Sequence, residues 1–509
     1  MKKLLLLGCL VLGALSAFTA KTPNVVLIYV DDLGFGDLSC YGATKVQTPN
    51  IDRLAKEGRQ FLDAHSPSAV CTPSRYGVMT GEYPFRQGTE GSWGPLGHTK
   101  GLIIDTKKLT LGRLFDEAGY ATAAIGKWHL GFGEKSTDYN KPLRPGPLEL
   151  GFDYYFGIAT NNSANPYVYL ENDRVYGWDP KDPLTSKKGE LPYPYDEVGL
   201  MQINRFGGAK KAHALYDNRM TGTILSEKAV KWIRDNRKKP FFMYYAPPQI
   251  HHPFTPHQRF VGTSQAGMYG DFIHELDWMV GEVLNTLDEL ELAEDTLVLF
   301  TSDNGGMYNL GGKQAFAAGH KQNGKLLGFK FGVWEGGHRV PFLARWPGRI
   351  KAGSTSRQLY SSVDTLASLA SLLGRKLKEG EGLDSIDQID TILKKPAKPA
   401  RDQLVLLPRE EDCIGFRQDE WVYIISQGDG SGGIGTSQRG GPWAIAHTKS
   451  KNSDVAPDGT IRPDAPKAQL YNLKKDPYQT TNVISEHPHI AAKLKKQLQD
   501  LVNSKSTRN

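Results

Sequence analysis

Cysteine is scarce in this chain: Cys9, Cys40, Cys71 and Cys413 are the only four among 509 residues. They are too few and too scattered for a disulfide scaffold or a four-cysteine zinc site. Cys9 falls in an N-terminal stretch that reads as a targeting segment. The other three are odd in number, so at least one has no internal partner, and Cys40 with Cys413 is one pairing open to them. Long apolar runs are also missing. After Leu4 to Leu15 no stretch is long enough to cross a bilayer as a helix. Charge of one sign is not concentrated: 62 Lys and Arg stand against 55 Asp and Glu, a net +7 with no dense basic run. Nucleic acid is therefore not implied as a partner, whereas an anionic substrate suits a mild positive excess. No internal repeat is visible.

What is present begins with residues 1–20, where Lys2 and Lys3 precede the apolar run and small residues follow at Ser16, Ala17 and Ala20. This is the pattern of a cleaved secretory signal, with an uncleaved anchor as the alternative reading. An exported protein, periplasmic or secreted, is expected. The length exceeds one ordinary compact core, and 55 glycines and 30 prolines imply many loops. Apolar strand-like runs at 25–30, 121–125, 241–246 and 297–300 alternate with helix-like segments, among them 48–54 and the 3.6-period face of Ile273, Leu276, Val280, Val283, Leu284 and Leu287. The expectation is an α/β fold over 21–395: a large mixed, mainly parallel sheet sandwiched by helices. Beyond residue 390 the texture changes. KKPAKPAR (394–401) reads as a linker, 404–407, 421–425 and 470–473 as short strands, 428–441 as a glycine-rich loop and 487–501 as a helix. A smaller C-terminal α+β subdomain over 396–509 follows.

In open α/β sheets ligands bind at the carboxyl ends of the strands. Here those ends run into Asp31-Asp32, Gly126-Lys127-Trp128-His129, Ile250-His251-His252-Pro253 and Ser302-Asp303-Asn304-Gly305. Asp31, Asp32, Asp303 and Asn304 are hard oxygen donors, and carboxylates brought to one rim call for a cation to offset their repulsion; oxygen-only ligation favours calcium or magnesium over zinc. Taken alone, Asp31-Asp32 is more commonly a turn cap. Cys71 precedes Thr72-Pro73, an N-cap and first-turn pair, so it sits at a helix N-terminus whose potential favours anions. Arg75 lies one turn on and adds a fork of donors. The combination suits a tetrahedral oxyanion, although a buried cysteine beside an ordinary cap has the same local sequence. Lys127, His129, the pair His251 and His252, and Lys330 before Glu335 are each unremarkable singly.

Assembled, the motifs closely resemble the formylglycine-dependent sulfatases of the alkaline phosphatase superfamily. CTPSRYGVMTG (71–81) matches that family's modification motif, and NVVLIYVDDLGFGDLSCYG (24–42), GKWHLG (126–131), IHHP (250–253), TSDNG (301–305), KFGVWEGGHRVP (330–341) and LYNLKKDPYQTTN (470–482) follow in the family's order. The resemblance implies that Cys71 is oxidised to formylglycine by a maturation enzyme reading Pro73 and Arg75. It implies Ca²⁺ held by Asp31, Asp32, Asp303, Asn304 and modified residue 71. It further implies that Arg75 and Lys127 stabilise the nucleophile, His129 acts as base, His251 and Lys330 bind sulfate, and His251 acts as general acid. One departure stands out: Leu327-Gly328 occupies a place where many relatives carry arginine-glycine.

The look is that of exported bacterial sulfatases acting on sulfated sugars, and the expected reaction is exo-acting removal of O-sulfate from galactose or N-acetylgalactosamine. Trp93, His98, Asn161, Asn162 and Asn165 lie in loops and read either as sugar contacts or, equally well, as ordinary surface residues. Three alternatives remain: a phosphoester or phosphonate monoester hydrolase of the same superfamily, a non-catalytic binder of sulfated glycans, and a structural export protein with an incidental cation site.

Overall fold

The computed structural model describes residues 22–88, 91–189, 205–309, 311–432 and 441–508. The targeting segment and most of the glycine-rich stretch at 428–441 lie outside them. A ten-stranded mixed sheet forms the body. At its centre Asn24–Val30 runs parallel to Phe241–Ala246 on one side and to Thr296–Ser302 on the other. Ala121–Lys127 and Tyr154–Ile158 continue the parallel set. Phe342–Arg345 pairs antiparallel with Thr296–Ser302 and makes the sheet mixed.

The central strand is buried along its whole length, which is why it reads as an unbroken apolar run. Side-chain alternation splits it between two cores. Val25, Leu27 and Tyr29 join Tyr76, Val78, Leu111, Leu114 and Leu366 on one face. Val26, Ile28 and Val30 join Ile51, Leu54, Leu225, Ile233, Ile273 and Leu284 on the other. The expected helices appear as Pro49–Glu57, closed at Gly58, and Gly267–Glu289. Not foreseen was Thr221–Asn236, which packs alongside the latter.

A second, four-stranded antiparallel sheet orders Gln403–Leu406, Gly415–Gln418, Trp421–Ile424 and Gln469–Asn472. The helix Pro488–Asn503 lays Ala491, Leu494 and Leu498 against it. Gly415–Gln418 carries a single large apolar residue, so no hydrophobic run announced it. The stretch read as a linker is pinned at both ends. The Lys394 carbonyl accepts from Arg59, and buried Arg401 donates to both oxygens of Asp364 at 2.7 and 2.6 Å. Cys40 and Cys413 do not pair, and all three described cysteines are free. Cys40 sits over Asp52 beside the main sheet, while Cys413 packs into the C-terminal core. Among the described residues no helix is long and apolar enough to cross a membrane.

The two sheets are joined by a bidentate pair, Arg417 Nη1 and Nη2 donating to Asp63 Oδ1 and Oδ2 at 2.8 Å each. Against burial, which raises it, Arg417 first and then Arg339, at 3.7 Å, and His65, at 2.9 Å, hold the Asp63 carboxyl well below the usual range. Arg417→Ala leaves a mostly buried carboxylate short of its main partner. The expected loss is about 3 kcal/mol of stability, read as a lower denaturant midpoint. An unchanged midpoint would show that the pair does not hold the two sheets together.

Candidate active site

Parallel register brings the motif residues together. Val30 lies opposite Ser302, so Asp31 and Asp303 leave the sheet side by side. Ala246 lies opposite Gly126, which places the 249–253 loop beside Lys127. Asp31 N donates to Gln249 O at 2.9 Å and Ile250 N to Asp31 O at 2.7 Å, tying that loop to the central strand. Asp32 then adopts a left-handed backbone, φ 58°, a conformation uncommon outside glycine and enriched at functional sites.

Three carboxylates face three cations, all buried. Lys127 Nζ donates to Asp31 Oδ2 at 2.6 Å, Arg75 Nη2 to Asp303 Oδ2 at 2.7 Å and Lys330 Nζ to Asp32 Oδ1 at 2.5 Å. The carboxylates are thus already matched one for one, and mutual repulsion does not by itself demand a metal. The repulsion expected from the sequence is removed by this pairing. Burial remains the larger influence on Asp303, whose carboxyl is raised despite Arg75. Lys330, though buried, is raised by Asp32 and so keeps its proton.

The case for a cation rests on oxygens instead. Asp31 Oδ1, Asp32 Oδ2 and Asn304 Oδ1 are buried and accept no hydrogen bond. Asn304 turns its Nδ2 to Asp32 Oδ1 at 2.8 Å and so presents its oxygen alone. Ligand atoms of Asp31, Asp32 and Asp303 lie within 4.8 Å of one another. Leaving such groups unsatisfied is costly, and an all-oxygen set fits a hard divalent cation.

The helix Cys71–Thr80 begins two residues earlier than Thr72 capping requires. Thr72 Oγ1 accepts instead from Leu96 N at 2.9 Å, and Val70, with no side-chain cap, holds the N-cap position. Cys71 therefore stands in the first turn, packed with Val70, Met307 and Phe331. Burial pushes its thiol up although Lys127 and Lys330 oppose that. As cysteine it is a poor nucleophile near neutrality, because the thiolate is the reactive form.

His129 also has a left-handed backbone, φ 58°, while Trp128 beside it is buried and donates to Gly131 O. His129 Nε2 lies 3.0 Å from Leu96 O. A carbonyl only accepts, so Nε2 carries the hydrogen and Nδ1, which is buried and unpartnered, keeps its lone pair. Burial and then Lys127 and Arg75 hold this imidazole neutral. In His251, Nδ1 donates to His252 O at 2.6 Å, and Nε2 lies 4.0 Å from Asp32 Oδ2. Burial, His252 and Lys330 keep it neutral as well.

One side chain enters that the sequence did not mark, and one expected at the sugar takes a different place. Tyr244, inside an apolar strand, accepts from Arg75 Nη1 at 3.3 Å. Asn162 donates to the carbonyls of His251 and Pro253 at 3.0 and 3.1 Å, supporting the histidine loop. The remaining sugar-contact candidates have structural partners. Trp93 packs onto the C-terminal core, His98 meets the Phe206 ring edge-on, Asn161 closes a turn on Ser163, and Asn165 accepts from Phe206 N. Leu327 is buried in the C-terminal core.

The sulfatase family model matches residues 23–375. The chain belongs to the sulfatase family. It is 36% identical over 513 residues to the N-acetylgalactosamine-6-O-sulfatase of Bacteroides thetaiotaomicron, covering 96% of this chain and 94% of that protein. Human steryl-sulfatase is 34% identical, with 72% and 69% covered. A solved 6S-sulfatase structure from Bacteroides thetaiotaomicron, described with that organism's metabolism of multiple glycosaminoglycans, has a TM-score of 0.84 at 36% identity and covers 95% of this chain and 100% of its own. A phosphonate monoester hydrolase of Agrobacterium radiobacter, 16% identical with a TM-score of 0.56 and coverage of 94% and 95%, shares the fold alone. As a sulfatase the protein hydrolyses sulfate esters.

Proposed function

We propose that this sulfatase removes the 6-O-sulfate of N-acetylgalactosamine or galactose at the end of a sulfated glycan chain, after export directed by residues 1–20. The supporting observation is similarity to the Bacteroides N-acetylgalactosamine-6-O-sulfatase along almost the whole of both chains. Under the proposed division, residues 21–395 supply every catalytic side chain and 396–509 form the C-terminal part.

Asp31, Asp32, Asp303, Asn304 and residue 71 would hold Ca²⁺, with Cys71 converted by a maturation enzyme to formylglycine. Together these groups supply a covalent nucleophile and a Lewis acid for the sulfate ester. The protein's own residues do the rest. Arg75 is fixed between Asp303 and Tyr244, Lys127 by Asp31 and Lys330 by Asp32. Their charges are held in place before substrate arrives, which is how preorganised electrostatics lower a barrier. His129 accepts a proton at Nδ1, its orientation set by Leu96 O. His251 begins neutral with its lone pair at Nε2. To protonate the leaving alcohol it must first gain a proton, and a bound sulfate anion favours that charged form. Asn162 acts through the carbonyls of His251 and Pro253 to keep Nε2 in position.

The test is side-by-side turnover of 6-sulfated and 4-sulfated N-acetylgalactosamine, an aryl sulfate and an aryl phosphate. The 6-sulfated sugar is expected to exceed the 4-sulfated one by roughly 100-fold or more in kcat/KM. Faster phosphate hydrolysis would favour the phosphoester alternative. Tight binding without turnover would favour a glycan-binding relative.

A further inference from the structure

Away from the catalytic residues, the C-terminal part holds a cleft of about 540 Å³ beside the helix Gly441–Thr448. Lys449, Lys451 and Arg462 line it, and no carboxylate does. All three are exposed. None forms an ion pair among the described residues, whereas exposed Lys231, Lys394 and Lys496 each pair with an aspartate at i±4. Of the acids close by in sequence, two are occupied, and exposed Asp464, two residues beyond Arg462, is not part of the cleft lining. Asp454 accepts from Ser453 Oγ and Asn482 Nδ2, and Asp458 from Thr460. Ser450, Thr480 and Thr481 add hydroxyls to the rim.

The cleft is linked to the catalytic pocket by aromatic contacts. Phe329, next to Lys330, packs on Tyr308 at 5.0 Å between ring centroids, and Tyr308 on Trp443 at 6.0 Å. Met307, next to Tyr308, packs with Cys71. One side of the helix thus meets the wall of the active site through Trp443. Another, through Ile445 and Ala446, forms the cleft together with Lys449 just past the helix end.

We propose that this cleft is a second binding site, for an anionic segment of the glycan whose end occupies the active site. The inference rests on the carbohydrate sulfatase reading above. Single exposed charge pairs are weak, so the cleft does not retain an isolated sulfate ion or a sulfated monosaccharide. A chain bearing sulfate or carboxylate groups on successive sugars engages three cations at once and gains by multivalency. Such contacts weaken as salt screens them.

The experiment compares the full-length mature enzyme with a Lys449→Ala, Lys451→Ala, Arg462→Ala variant, using chondroitin 6-sulfate as polymer probe. Affinity is read by calorimetry at low and at physiological salt. The variant is expected to bind the polymer about tenfold more weakly, with a shallower salt dependence, and to show a similar drop in kcat/KM on polymer. Turnover of 6-sulfated N-acetylgalactosamine and of an aryl sulfate is expected to stay at the wild-type level. Undiminished polymer affinity in the variant would overturn the proposal, as would a wild-type enzyme that does not bind the polymer or binds double-stranded DNA equally well. Polymer bound through these three residues but never desulfated would sustain the cleft and defeat the proposed reaction instead.

Discussion

Cys71→Ala is expected to lower sulfate ester turnover by roughly 10⁴-fold or more while the protein still folds. The first half follows from position: residue 71 stands in the first turn of its helix among Lys127, Lys330, Asp31 and Asp303, whose charges all act on it. Under the proposed mechanism this residue, once oxidised, supplies the covalent nucleophile. The second half follows from packing. The thiol touches a small cluster of Val70, Met307 and Phe331, so its removal costs about 1 kcal/mol of burial. The helix start is held independently, by Ser74 N on Val70 O at 3.1 Å and by Ser74 Oγ on Ser68 O at 2.7 Å. The checks are initial rates on an aryl sulfate, a thermal unfolding curve, and mass spectrometry of the peptide containing residue 71 with a hydrazine trap for aldehyde. A variant that folds and keeps more than a small share of its activity would place the nucleophile elsewhere. A wild-type peptide still carrying a thiol in fully active enzyme would remove formylglycine from the mechanism.

Much of this site was legible because each piece is local. An apolar run ending in Asp31-Asp32, another ending in Asp303-Asn304, and proline and arginine set beyond Cys71 are short-range patterns. What was not legible is how they pair. Lys127 meets Asp31 across 96 positions, Arg75 meets Asp303 across 228 and Lys330 meets Asp32 across 298. Counting carboxylates in sequence therefore suggested a repulsion that three distant cations have already removed. The Thr72 cap failed for a similar reason: a loop 24 positions away offers its hydroxyl a backbone N–H. Tyr244 was hidden because a strand buried on both faces shows no alternation to mark which side chain points at the site. KKPAKPAR has the composition of a tether, and only the fold reveals Asp364 waiting for Arg401.

The same pairing defines what a divalent cation would do. With three acids matched by three bases, bound Ca²⁺ would leave an uncompensated double positive charge in a buried site, one that an anionic sulfate ester and a deprotonated nucleophile would offset. Without the cation, Asp31 Oδ1, Asp32 Oδ2 and Asn304 Oδ1 stay buried and unsatisfied, at about 1–3 kcal/mol for each such group. Stripping the enzyme with a calcium chelator is therefore expected to abolish turnover and lower Tm. At a Ca²⁺ concentration of about 100 times Kd the linkage is worth about 2.7 kcal/mol, or about 3 °C for a chain of this size. Adding Ca²⁺ back should restore both, while Zn²⁺ should not, because the donors are all oxygen. Asp31→Asn separates the two roles of that carboxylate. It retains an oxygen for the cation but loses the charge that fixes Lys127, so it should weaken Ca²⁺ binding less than it slows turnover. A stripped enzyme with unchanged Tm and full activity would show that these three oxygens serve some purpose other than holding a metal.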